Sequence, residues 1–111
     1  MDNIKDDKYY ISKIIEHIDV VLQNTAGLSL EQIKENEILL DSVMFRFIQI
    51  AEAAQSLSSS FKEKTSSLPW HELYGIRNRI VHAYDVLRAD IVYETIRNDL
   101  TPFRKTLEKY L

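Results

Sequence analysis

The sequence predicts an all-α protein, and three observations support that prediction. Apolar residues recur with a period near 3.6 through most of the chain, and strand-like alternation is absent. Only two glycines and two prolines occur in 111 residues, too few to punctuate a series of hairpins. Four long amphipathic stretches with short connections fit an antiparallel four-helix bundle, one domain spanning residues 1–111 with one core.

The first helix is expected from about Asp7 to Gln23, with Tyr10, Ile11, Ile14, Ile15, Ile18, Val21 and Leu22 on one apolar stripe. Asn24-Thr25-Ala26-Gly27 stops it, and Gly27 suits the left-handed position after a helix end. Ser29 and Gln32 have the spacing of a capping box, which opens a short helix. A second long helix follows, from about Glu37 to Ser58, with its stripe at Leu40, Val43, Met44, Phe47, Ile48, Ala51 and Ala54. The serine-rich run 56–68 reads as a loop with a helical turn near Phe61. Pro69 is placed in the first turn of the third helix, where its missing N–H costs nothing. The fourth is expected from about Asp90 to Leu111, burying Val92, Ile96, Leu100, Phe103, Leu107 and Tyr110. Pro102 lies within it and should bend or split it, because no hydrogen bond can return to Asn98.

Composition narrows the function classes. The chain has no cysteine, which excludes disulfides and thiolate metal sites and fits a reducing cytoplasm. The opening residues are polar, unlike a signal peptide, and no apolar run approaches the roughly 20 residues needed to span a bilayer. Net charge is −3, but it is unevenly placed. Residues 1–74 hold 7 Lys/Arg against 12 Asp/Glu, and residues 75–111 hold 7 against 5. The excess of basic charge therefore falls in the part of the chain that contains the least ordinary stretch, "RNRIVHAYD" at 77–85.

On an ideal wheel with Arg77 at zero, Trp70, Leu73, Val81 and Tyr84 all fall within about 40° of it. Arg77 is thus expected in the middle of the apolar stripe, where a guanidinium is costly unless something satisfies it. Asn78, His82 and Asp85 share a second, polar face, and Arg79 points away from the stripe. Arg77 and His82 diverge by about 140° on a straight helix, so one copy does not bring them together. Either the helix ends near His82, or a second copy of the chain supplies the missing half. The second is favoured, since an arginine among aromatics suits a helix–helix interface. Plainer roles stand beside these: Arg77 paired with Glu52 or Glu94, His82 as a helix-end cation, and Tyr84 as a core-edge residue with a wet hydroxyl.

The spacing Arg77-Asn78-x-x-x-His82-x-Tyr84 resembles the R-x-x-x-x-H motif of HEPN domains, in the R-x-x-x-x-H-x-Y form of HepT-like toxins. Pro69-Trp70, the run 76–85 and "FIQIAEAAQSLS" at 47–58 are similar to that family's helices in its order. One difference lies outside the motif: Ala51 stands where many relatives are expected to have glycine. The resemblance implies a metal-independent RNA endonuclease without a cofactor, active as a homodimer whose two motifs meet in a composite cleft. It implies that His82 relays protons at the ribose 2′-hydroxyl or leaving oxygen, leaving a 2′,3′-cyclic phosphate. Arg77 would stabilise charge on the phosphate, with Asn78 orienting His82 or bonding the phosphate. It also implies a type VII toxin–antitoxin system, in which a nucleotidyltransferase antitoxin, MntA, transfers AMP to Tyr84. The alternative is a non-catalytic binding subunit of a nucleotidyltransferase complex.

Other residues carry weaker signals. His17 with Glu16 and Asp19 suggests a metal, but the three share a face poorly, and no histidine pair has i, i+4 spacing. His71 beside Glu72 reads as surface, Ser58-Ser59-Ser60 as loop, and Trp70 as core.

Overall fold

In the computed structural model, residues 6–84 and 88–111 are described. The elements are α1 (Asp7–Thr25), α2 (Leu30–Glu35), α3 (Glu37–Gln55), α4 (Ser59–Lys64), α5 (Trp70–Ala83), α6 (Ala89–Glu94), a π-helical segment (Thr95–Asp99) and α7 (Leu100–Glu108). No strand occurs among the described residues.

Side-chain pairs between helices give the direction of each. Asp7 of α1 meets Ser58 just beyond α3, and His17 meets Arg46, so one index rises as the other falls. Glu52 with Arg77 and Asp41 with Tyr84 run the same way between α3 and α5. So do Asp19 with Arg104 and Thr25 with Arg97, between α1 and the last rod. Neighbouring long helices are therefore antiparallel, as expected for an up-down-up-down bundle. The core between them is continuous: Ile11, Ile14 and Ile18 of α1, Phe47 and Ile50 of α3, Leu73 and Ile80 of α5, and Leu100, Phe103 and Leu107 of α7 are all buried.

Local chemistry sets the boundaries. Asp6 caps α1 by accepting the Tyr9 N–H at 3.1 Å. Gly27 has φ 73°, the left-handed conformation expected after this helix. Both halves of the Ser29–Gln32 capping box form, at 2.8 and 3.2 Å. The turn anticipated near Phe61 is a short helix capped by Ser58, and Phe61 is buried. Pro69 sits one position earlier than expected: it precedes α5, and its carbonyl accepts the Leu73 N–H at 3.1 Å. Trp70 is core, as expected. Its indole N–H donates to the Thr65 carbonyl at 3.1 Å, and its ring meets Phe103 edge to face, with centroids 5.4 Å apart.

The last rod runs on without a break through Pro102. The turn before it widens into π geometry, and the Leu100 N–H returns to Thr95. A π turn inserts an extra residue and relaxes the carbonyl ladder where the proline ring would clash. It also aims Arg97 at the end of α1, where one terminal nitrogen donates to the carbonyls of Thr25 and Leu28 at 2.6 and 2.5 Å.

Candidate active site

Helix α5 carries the motif, and its buried face differs from the one the wheel predicted. Trp70, Leu73, Ile76 and Ile80 are buried, whereas Val81 and Tyr84 are 47% and 42% exposed. The core therefore lies to one side of Arg77, which stands at the edge of the stripe rather than in its middle. The ideal wheel weighted Val81 and Tyr84 as core because they are apolar or aromatic. In the bundle, α5 turns Ile76 and Ile80 inward, and the far end of its apolar arc is left uncovered.

The edge position resolves the cost of the guanidinium. The Arg77 side chain is 27% exposed and pairs with Glu52 of α3, one of the two carboxylates the sequence offered. Nε and Nη2 both lie 3.0 Å from the same oxygen, Oε1. Nη1 donates to the Asn78 side-chain oxygen at 3.2 Å. Each terminal nitrogen keeps a further N–H beyond these bonds, and among the described residues none accepts it. Two such donors at the tip of a planar fork match two oxygens of a phosphate.

Asn78 and His82 are both exposed, and His82 lies in the last turn of α5. That places the imidazole near the negative end of the helix, the plainer role weighed for it. The helix is still regular from Arg77 to His82, so the divergence of about 140° holds within one chain. Asn78 bonds Arg77 rather than His82. A single chain thus presents the Arg77 guanidinium and the His82 imidazole on different sides of one helix. Asp85, the third member of the polar face, lies outside the described residues.

Tyr84 ends α5 with its hydroxyl donating to the Asp41 carboxylate near the start of α3. That bond, then partial burial and the nearby charges of Asp41 and Glu37, push the phenol up to about 12. The hydroxyl is therefore neutral across the physiological range. The sequence reading missed Asp41. A signal for it existed: Asp41 and Glu52 stand about 20° apart on one face of α3, as do Arg77 and Tyr84 on α5. Two antiparallel helices with those faces opposed pair the acids with the arginine and the tyrosine.

The other candidates are engaged elsewhere. Glu16 pairs with Lys13 at 3.7 Å, Asp19 grips Arg104 at 2.5 and 3.1 Å, and His17 bonds Arg46 at 3.0 Å. Among the described residues, no three His, Asp or Glu side chains gather closely enough to hold a metal ion. None of the helices among those residues is long and apolar enough to cross a membrane.

An all-helical bundle carrying R-x-x-x-x-H on one helix, its arginine held at the edge of the core, belongs to the HEPN class of domains. The comparisons narrow this: residues 14–110 match the Ribonuclease HepT-like family, and the chain is a member of it. It is 26% identical to a protein of Caldanaerobacter subterraneus, provisionally named an RNase, over 97% of this chain and 96% of that one. A provisionally named RNase of Methanocaldococcus jannaschii is 24% identical over 94% of this chain and 95% of its own. A Thermococcus cleftensis protein, provisionally named ribonuclease HepT, is 24% identical over 92% and 93%. No solved structure matches the chain.

Proposed function

We propose that this protein is a metal-independent RNA endonuclease that acts as a homodimer, with Arg77 and His82 as its catalytic residues. The observation that carries the reading is the guanidinium of Arg77, which Glu52 and Asn78 hold at the protein surface with N–H groups to spare. Membership of a ribonuclease family, and relatives named as RNases, support RNA as the substrate.

The divergence of Arg77 and His82 on one helix supports a site completed by a second copy. Val81, Tyr84 and, on α3, Phe45 and Ile38 are large apolar or aromatic side chains left exposed, and they suit burial against a partner. Across that interface, Arg77 of one copy and His82 of the other would face one phosphodiester. His82 takes the proton of the 2′-hydroxyl as that oxygen attacks phosphorus, and a proton is returned to the departing 5′-oxygen. Arg77 bonds the phosphate oxygens as their charge grows. The products are a 2′,3′-cyclic phosphate and a free 5′-hydroxyl, and DNA, lacking the nucleophile, is spared.

The same reading makes the protein a cytoplasmic toxin, controlled by a nucleotidyltransferase antitoxin that transfers AMP to Tyr84. The exposed position of Tyr84, two residues beyond His82, supports this. A phosphate there would sever the bond to Asp41 and set negative charge against that of the incoming RNA. Purified protein given RNA in the presence of a chelator tests the chemistry. Cleavage with cyclic-phosphate ends, abolished by His82→Ala in a folded protein, is the expected result. If folded His82→Ala cleaves like the parent, the nuclease assignment of this site is wrong. If neither cleaves but both bind the antitoxin, the chain is instead a binding subunit.

A further inference from the structure

Between α1 and α3 lies an open groove of about 380 Å³, and Glu52 forms part of its wall. Glu52 is the residue that holds Arg77, so the groove and the motif share a wall. Tyr9, Tyr10, Lys13, His17 and Gln49 are among its other lining residues. Each of these five is half-buried or exposed, each has hydrogen-bonding or aromatic character, and Tyr10 also packs against the core.

His17 is the most informative of them. Its Nδ1 lies 3.0 Å from Arg46 Nη1, and a guanidinium can only donate. Nδ1 is therefore an acceptor, and the ring proton is fixed on Nε2, where it is a donor. Burial, and then the charge of Arg46, hold the imidazole below its ordinary pKa, which keeps that tautomer neutral. Gln49 offers an amide with both a donor and an acceptor. Tyr9 and Tyr10 meet edge to face at 5.1 Å, and the Lys13 ammonium stands 5.7 Å from the Tyr9 ring. A fixed neutral donor, an amide, aromatic rings and one cation are what reads an unpaired nucleobase and steadies its phosphate.

We propose that this groove is a nucleoside subsite for single-stranded RNA, holding a base that flanks the phosphate at Arg77. It rests on the ribonuclease reading above. The base lies against Tyr10 and Tyr9, its edge bonds His17 Nε2 and Gln49, and Lys13 takes a neighbouring phosphate. The negative charge of Glu52 does not repel the strand strongly, because Arg77 engages it. The subsite gives the nuclease a preference for unpaired RNA, since a base within a duplex cannot turn its edge into the groove.

Equilibrium binding of a short fluorescent single-stranded RNA to the His82→Ala protein tests this without cleavage. Gln49→Ala and His17→Asn, each added to that background, are expected to weaken binding about fivefold to tenfold, in line with one lost hydrogen bond each. Thermal unfolding of both variants confirms that they are folded, and Gln49→Glu provides a second probe should His17→Asn fail to fold. Crosslinks from photoreactive uridine to Tyr9 or Tyr10 are expected as well. RNA binding that is unchanged in the folded variants overturns the subsite while leaving the nuclease reading intact. Binding of free AMP, but not of RNA, with the same residue dependence also overturns it, because the site would then serve a mononucleotide. A parent protein that neither binds nor cleaves RNA defeats both.

Discussion

Arg77 of α5 and Glu52 of α3 form a two-point contact on a single oxygen, with Nε and Nη2 each 3.0 Å from Oε1. Such a grip fixes the plane of the guanidinium while leaving its outer tip for another anion. The pair is partly exposed, 27% at Arg77 and 45% at Glu52, so its effect on folding should be small, roughly 0–1 kcal/mol. Its effect on the reaction should be larger. Glu52→Gln is expected to leave thermal unfolding nearly unchanged and to lower kcat about tenfold through a less well-aimed guanidinium. Arg77→Lys, which keeps the charge but not the fork, should lose about a hundredfold in cleavage. Paired kinetic and unfolding measurements check both.

The Tyr84–Asp41 contact predicts an alkaline signature. The phenol is pushed up to about 12 in the folded protein, above its ordinary value of 10.0. A raised value means that the stabilisation is complete below the unfolded pKa and is lost as pH climbs through the folded one. The window therefore runs from near pH 10 to near 12. Ultraviolet titration of the tyrosines should show late-ionising phenols, of which that of Tyr84 returns toward 10.0 in Asp41→Asn while that of Tyr74, raised by burial, does not.

The acid limb has a different source. Asp7 accepts the Ser58 N–H at 2.8 Å and the Ser58 hydroxyl at 2.7 Å, and these bonds hold its carboxyl below the usual range. A depressed carboxylate stabilises above its unfolded pKa of 3.8, and that contribution disappears as pH falls through the lower folded value. Ser58 also caps α4. Ser58→Ala should cost about 1 kcal/mol at neutral pH and flatten the acid-side loss. Denaturant unfolding at several pH values measures it.

Val81 and Phe45 test the partner-facing surface. Both side chains are about half exposed in the single chain, and neither contributes to its core. Val81→Glu should therefore leave the fold intact while placing a charge in the proposed interface. Sedimentation is expected to give a monomer, and cleavage is expected to disappear with the dimer.

Much of the fold was legible because its signals are local. The Ser29–Gln32 box, Gly27 and the stripe of α1 depend on near neighbours in sequence and appear where expected, while the stripe of α3 appears with Ile50 added to its buried face. The rod around Pro102 was partly legible: the proline announced a disturbance, but a bend and a π turn both answer the missing N–H. Only packing against α1, where Arg97 finds two carbonyls, selects between them. In the candidate site, spacing picked out Arg77, Asn78, His82 and Tyr84. Periodicity could not locate the edge of the core on α5, because Val81 and Tyr84 read as core side chains until their neighbours are known. Asp41 is harder to read for a related reason: its partner is 43 residues away, and the face it shares with Glu52 gains meaning only when α3 and α5 are set side by side.

In the proposed dimer, one chain's Arg77 and another chain's His82 serve the same phosphodiester. Mixing Arg77→Ala protein with His82→Ala protein, after allowing subunits to exchange, tests it most directly. Each variant alone is expected to be inactive, and the mixture to regain part of the RNA cleavage, because a mixed dimer contains one intact pair. Full activity in either variant alone, or a mixture that stays inactive although mixed dimers have formed, would contradict it.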